Sequence, residues 1–409
     1  MADSLSVWLH GDRVAVIEEE RGRLRLSYTE EALQRYPLGT PLLSLSLPLT
    51  AERYTQGIVR PYLDGLLPEG AARRAVAERF EVVSTDAYGL IRAIGRECAG
   101  AVVIQPASDP PPPTPTTLTA ERVSDTEIAD LVANLPSAPL GIDRRMRVSL
   151  GGVQEKLLLT RMVDGAWGRP VDGTPSTHIL KPEVADYPAT VENEAFCMRF
   201  AKHLGLPVAH VETTAIGGRK VLVVERYDRI VRPNGDVERL HQEDLCQATA
   251  TSPEKKYQDD GGPSLRRIAS VLDVATSPRS LDALTRMTAL NVLVGNGDAN
   301  AKNFSLLHGH EGVLRLAPAY DVLSTLHYGD EKLAMHVDDV RQTNRVTGER
   351  FINEVESWGV SRRQAMQVLA DLVDGVPAAL EAARDETPGV PDELLELIKN
   401  QVALLGRER

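Results

Sequence analysis

Cysteine is scarce in this chain: 409 residues hold three, Cys98, Cys197 and Cys246. No two of them show the C-x-x-C spacing of a structural zinc site or a redox pair. Each sits among apolar neighbours, so small buried thiols in a reducing, cytoplasmic setting are expected. Long apolar runs are missing as well. Asp282 and Arg286 interrupt the best candidate, which falls short of the roughly 18 uncharged residues that a membrane helix needs. The opening MADSLSVWLHGD places acids where a secretory signal has basic and then apolar residues, so no membrane attachment is expected. Positive charge is in deficit: 46 Lys and Arg against 58 Asp and Glu leave a net charge of -12. That argues against a chain that grips nucleic acid or an anionic membrane by itself, although a basic partner could supply the contact. There is also no G-x-G-x-x-G, no Walker A motif and no H-R-D.

What is present is enough length for two or three domains, with an ordinary globular balance of 42% hydrophobic and 25% charged residues. Residues 1–105 read as a small α/β subdomain. SVWLHG, RVAVIEE and RLRLSYT are strand-like runs between short turns, and a helical stretch broken by Pro61, Gly65 and Pro68 follows. Residues 106–121 include four consecutive prolines, which suit neither a helix nor a central strand, so a stiff, solvated linker is expected. Ser124 or Asp125 would cap the next helix. From 122 to 230 the pattern is β-rich, interrupted by the helix TVENEAFCMRFAKHLGL and closed by a hairpin about Gly217 and Gly218. From 231 to 409 it is helical, with the best segments at 264–275, 281–295, 362–376 and 391–405. A β-rich part followed by an α-rich part is the order of a two-lobed, protein-kinase-like fold of mixed α/β (α+β) class.

Phosphoryl transfer from a nucleotide needs a cation on the phosphates, backbone donors over them, oxygen ligands for Mg²⁺ and a carboxylate that orients the attacking hydroxyl. Candidates occur here in the chain order that kinases use. Lys181 ends the strand-like THILK, and the following helix offers Glu192 or Glu194 to hold its ammonium. VVERYD, residues 223–228, runs from an apolar strand to a polar exit, as a hinge that offers backbone groups to adenine would. GNGDANAKNFSLL, residues 295–307, leaves an apolar helix and lines up Asn296, Asp298, Asn300, Lys302 and Asn303 before turning apolar again. Asp298 and Asn303 keep the Asp-to-Asn offset of the kinase catalytic loop. Asp298 would handle the substrate proton and Asn303 would take a metal. Asp321, a hairpin later, stands where kinases carry their metal-binding Asp, and such hard oxygen ligands suit Mg²⁺.

Several longer stretches closely resemble the HipA family of toxin–antitoxin serine/threonine kinases. They are SLGGVQEKLLL (149–159), STHILKPE (176–183), NEAFCMRFAKHLGLPVA (193–209), VVERYDR (223–229), LHQEDLCQATA (240–250), KYQDDGGPS (256–264), GDANAKNFSLL and LAPAYDVLS. The resemblance implies ATP and Mg²⁺ as cosubstrate and metal, and a set of roles. Lys181 would pair with ATP phosphates, together with a phosphate-side loop comprising Gly151, Gly152, Val153 and Gln154. Glu225, Tyr227 and Asp228 would form the adenine side, and Lys302 would lie near ATP. Asp298 would be the catalytic carboxylate, and Asn303 and Asp321 the magnesium ligands. Ser149 matches the family's autophosphorylated serine. The implied partners are a helix-turn-helix, HipB-like antitoxin that alone contacts operator DNA, and a protein substrate in translation such as an aminoacyl-tRNA synthetase.

Two other functions fit the residues: a small-molecule phosphotransferase, and a catalytically silent ATP-binding corepressor of a DNA-binding antitoxin. His308 and His310, in LHGHEGV, lack metal-ligand spacing and are expected to face solvent, and His241 in HQED is expected to be structural.

Overall fold

The computed structural model describes residues 4–406 apart from 113–115, 118–119, 144, 153, 172, 277–278 and 310–312, with the backbone alone at 116–117. Val153, His310 and much of the proline-rich stretch therefore lie outside the described residues. The chain divides into two compact units, Met1–Pro182 with Ala215–Pro253 and Leu307–Gly312, and Glu183–Thr214 with Glu254–Leu306 and Val313–Arg409.

The first unit opens with an antiparallel sheet. Its strands are β1 (Ser4–Leu9), β2 (Asp12–Glu20), β3 (Arg23–Tyr28), β4 (Tyr54–Thr55) and β5 (Val102–Pro106), in the order β4-β3-β2-β1-β5. Period-two alternation turns Leu5, Val7 and Leu9 of β1 and Leu24, Leu26 and Tyr28 of β3 inward. Helices Gln56–Leu66 and Ala87–Ile94 add Val59, Tyr62, Leu63, Ile91 and Ile94 to the same core. A second set of antiparallel strands follows in the unit. His178–Pro182 pairs with Arg219–Glu225 on one side and Leu157–Arg161 on the other. Helix Asp125–Ala133 packs Ile128 and Val132 against Leu157, Leu159, Leu180, Val221 and Val223. Ser124 caps that helix in a reciprocal box with Glu127, which satisfies amide donors at its start.

The proline-rich stretch is not solvated linker throughout. Thr116 and Thr117 pair with Val237 and Asp236 as a short antiparallel rung. Past Pro115 both residues again have N–H groups, so the backbone can join a ladder that the prolines could not.

The second unit is helical: Thr190–His203, Leu265–Ala275, Arg279–Val294, Gly348–Glu356, Arg362–Glu386 and Asp392–Leu405. One helix runs beyond its expected end at 376. Pro377 stands inside it, yet the helix continues to Glu386 because Ala379, Leu380 and Ala383 still bury its apolar face. None of the described helices is long and apolar enough to cross a membrane. All three cysteines are free and buried, and burial pushes the Cys98 thiol up to about 12.

Candidate functional site

In the first unit, Lys181 lies opposite Leu222 in the strand register and is buried. The neighbouring stretch from Ser149 is fixed by the N-terminal subdomain. The Ser149 amide donates to the Glu97 carbonyl at 2.7 Å, and its fully buried hydroxyl donates to the Leu66 carbonyl at 2.6 Å. The Gly152 amide donates to Glu69 Oε1 at 3.1 Å, so this amide already meets an anionic oxygen. Lys156 Nζ donates to the Gly151 carbonyl at 2.8 Å, and Gly151, Gly152 and Gln154 are half-buried.

Glu225 ends its strand opposite His178 with its residue exposed, and the Arg226 amide returns to the Thr177 carbonyl at 2.9 Å. The Tyr227 hydroxyl donates to Gln242 Oε1. Asp228, expected at the nucleotide, has its carboxylate inside the protein instead. It accepts from Arg226 Nη2 at 2.8 Å, from Arg226 Nε at 3.0 Å and from the Gly100 amide at 2.7 Å, and it pairs with Arg229 at 2.9 Å. Glu97 completes the network with Arg226 at 2.9 Å and Arg229 at 2.7 Å. Burial works to raise the Asp228 pKa, but the two guanidiniums outweigh it and hold the carboxyl well below the usual range.

His308 is not solvent-facing as expected. Its side chain is 10% exposed, bonds Glu243 Oε1 at 3.0 Å and lies 4.5 Å, ring to ring, from His241. His241 is buried with Nε2 at 2.9 Å from the Leu43 carbonyl, and burial, then His308, depresses its pKa strongly.

In the second unit, helix Arg279–Val294 delivers the chain into the loop 295–303. The close turn needs its glycines. A Cβ on Gly297 would stand 2.2 Å from the Lys332 carbonyl oxygen, and Gly295 takes φ +68° against Leu326. Asn296 is buried, bonded to Asn291, and its Oδ1 accepts the Asp298 amide at 3.1 Å. Asp298 Oδ1 then accepts from the Tyr257 hydroxyl at 2.5 Å and Asn300 Nδ2 at 3.0 Å. Asn303 Nδ2 donates to the Asp298 carbonyl at 2.7 Å, which leaves the Asn303 amide oxygen available as a ligand. Lys302 is buried, and its carbonyl accepts from the Tyr320 hydroxyl at 2.5 Å.

Asp321 takes a left-handed φ of 57°, an unfavourable conformation for a side-chain-bearing residue and one that clusters at functional sites. Just beyond it, Asn193 of helix Thr190–His203 makes two 2.9 Å bonds to the backbone of Ser324. Glu192 and Glu194 of that helix are buried. The Asp298 pKa is raised, first by burial. The Tyr257 bond opposes this, Asp321 adds to it, and Lys256 and Asn300 oppose it again. Among the described residues no group of three or more His, Cys, Asp and Glu side chains is built as a metal cage. One Asn oxygen and one Asp carboxylate suit Mg²⁺, which binds through one or two carboxylates plus substrate phosphates.

Profiles of the HipA N-terminal domain and the HipA-like C-terminal domain match residues 5–105 and 148–380. The chain belongs to the HipA family. Y4mE of Sinorhizobium fredii is 35% identical, over 94% of this chain and 92% of that protein. The serine/threonine-protein kinase toxin HipA of Shewanella oneidensis is 31% identical, over 83% of this chain and 80% of that one. The structure of the Shewanella oneidensis HipA, HipB and operator DNA complex matches with a TM-score of 0.83 at 26% identity, covering 98% and 95% of the two chains. The fold is thus the mixed α/β, kinase-like fold of HipA. Glu97, Asn193 and Tyr257 were not read as site residues from sequence, although NEAF and KYQDDGG stand out as motifs. Their partners lie 41 to 132 positions away in the chain, and no local pattern announces such a bond.

Proposed function

We propose that the chain is an ATP-dependent serine/threonine protein kinase and the toxin of a toxin–antitoxin pair. On this reading it arrests growth by phosphorylating a component of translation such as an aminoacyl-tRNA synthetase. The observation that carries the reading is the loop 295–303. Buried Asn296 holds the Asp298 amide, buried Asn300 holds one carboxylate oxygen, and Asn303 is locked to the same residue's carbonyl. Lys181 pairs with ATP phosphates, the Gly151 amide faces them, the Gly152 amide joins it once released from Glu69, and Glu225 and Tyr227 offer backbone groups to adenine. Lys302 adds positive charge. In the transfer, the substrate serine or threonine oxygen bonds to the γ-phosphorus and the bridging oxygen leaves with ADP. The hydroxyl proton goes to Asp298 Oδ2, and the raised pKa of Asp298 makes it a better base than a solvated Asp. Asn303 Oδ1 and the Asp321 carboxylate would hold Mg²⁺, which when bound neutralises phosphate charge.

Ser149 serves as a self-inactivation site. Its hydroxyl donates to a buried carbonyl, and a phosphate with about two negative charges could not return to that place. A HipB-like helix-turn-helix antitoxin supplies the contact to operator DNA, in keeping with the chain's net charge of -12. The test offers radiolabelled ATP and Mg²⁺ with either bacterial lysate or aminoglycosides as acceptor. Labelled lysate proteins are expected, with phosphate also mapped to Ser149 and absent from Ser149→Ala. Labelled aminoglycoside alone would contradict the protein-kinase reading.

A further inference from the structure

We infer that Tyr257 is the positioning residue for the catalytic carboxylate: its hydroxyl pins Asp298 Oδ1 and leaves Oδ2 as the atom that takes the substrate proton. The inference rests on the kinase reading above and adds a residue to it. Asp298 Oδ1 accepts two hydrogen bonds, from the Tyr257 hydroxyl at 2.5 Å and Asn300 Nδ2 at 3.0 Å. Oδ2 accepts none among the described residues. A carboxylate held this way cannot rotate without giving up a short charge-assisted bond, and the oxygen without donors is the more basic one. Asn300 alone would not set the angle, because it belongs to the same loop and moves with it. Tyr257 approaches from another segment and fixes the carboxylate from outside.

That segment is the motif KYQDDGG, otherwise without a role, and its shape is explained by this task. The Gly262 amide closes back on the Tyr257 carbonyl at 2.9 Å, and the Asp260 amide reaches the same oxygen at 3.1 Å. A Cβ at Gly262 would stand 2.2 Å from the Lys255 carbonyl oxygen and 2.7 Å from that of Tyr257, so only glycine permits the turn. On the flanks, the Ala301 amide of the catalytic loop donates to the Lys256 carbonyl at 3.4 Å, and the His336 amide donates to Gln258 Oε1 at 2.9 Å. The ring of Tyr257 is half-buried, so packing alone does not account for the residue. The turn presents one hydroxyl to one carboxylate oxygen.

The experiment is Tyr257→Phe, which removes only that hydroxyl, assayed beside wild type and Asp298→Asn with Mg-ATP and a lysate protein acceptor. kcat should fall roughly 10- to 100-fold, because small misplacements of a reacting group carry losses of that order. KM for ATP and the melting temperature should stay at wild-type values, and Asp298→Asn/Tyr257→Phe should be no slower than Asp298→Asn. A kcat within about threefold of wild type overturns the inference. So does a loss matched by a raised KM for ATP or a lowered melting temperature, which would mark Tyr257 as merely structural. In either case an active wild type with a dead Asp298→Asn leaves the kinase reading standing. An inactive wild type overturns that reading and this inference together.

Discussion

Asp228 and Glu97 carry two full charges in the interior of the first unit, which is tolerable only because Arg226 and Arg229 neutralise both. Burying an ion pair yields little net stability, but removing one partner strands the others and costs about 3–5 kcal/mol. Glu97→Ala is therefore expected to lose that order of stability in urea titration, and an unchanged midpoint would mean that the guanidiniums find another partner or water. The pH dependence has a definite sign. The Asp228 pKa is depressed in the folded state, so its contribution is fully present above the unfolded value of about 3.9 and is lost as pH falls below it. Wild type should lose stability steeply below about pH 4, and Asp228→Asn, less stable at neutral pH, should show a shallower slope there. Parallel slopes in acid unfolding would contradict the assignment. None of this was legible in VVERYD, because the carboxylate's partners include Gly100, 128 positions earlier.

Helix Thr190–His203 shows what an element contributes beyond its own residues. Its apolar spacing and Gly205 stop make it readable from sequence, but the bonds from Asn193 to Ser324 are not. Those two bonds brace the turn that follows Asp321. Asn193→Ala should cost about 1–3 kcal/mol through two unsatisfied buried backbone groups. It should also weaken Mg²⁺ binding, read as a higher Mg²⁺ requirement for nucleotide binding in calorimetric titration of a non-hydrolysable ATP analogue. An unaltered Mg²⁺ requirement would show that the brace serves stability only. Elsewhere the helices were legible where an apolar stripe and a cap coincide, as at Leu265–Ala275 after Ser264. They were illegible where packing overrides a local breaker, as at Pro377, or where backbone pairing reaches across the chain, as at Thr116 and Thr117.

At the scale of the whole molecule, the order of parts along the chain is what sequence conveys best. Strand-rich and helix-rich segments are legible because periodicity and turn chemistry are local, while the chain divides with helix Thr190–His203 in the second unit and Ala215–Pro253 in the first. The loop 295–303 was legible for the same reason: Asp298 and Asn303 are close in sequence, and the bond between them follows from a tight turn. The integration of the N-terminal subdomain was not. Its Leu66, Glu69 and Glu97 hold the stretch from Ser149 to Gly152, so residues 1–105 help to build that stretch rather than being appended to it.

On the proposed reading, Asp298 is the group that makes this chain a protein kinase. The direct measurement is the rate of phosphate transfer from Mg-ATP to a protein acceptor by purified wild type and Asp298→Asn at matched concentration. The variant should be slower by about 10²–10⁴, the usual contribution of a positioned acid–base group, with ATP affinity and melting temperature retained. A variant within about threefold of wild type would contradict the account, since the proton would then have another destination.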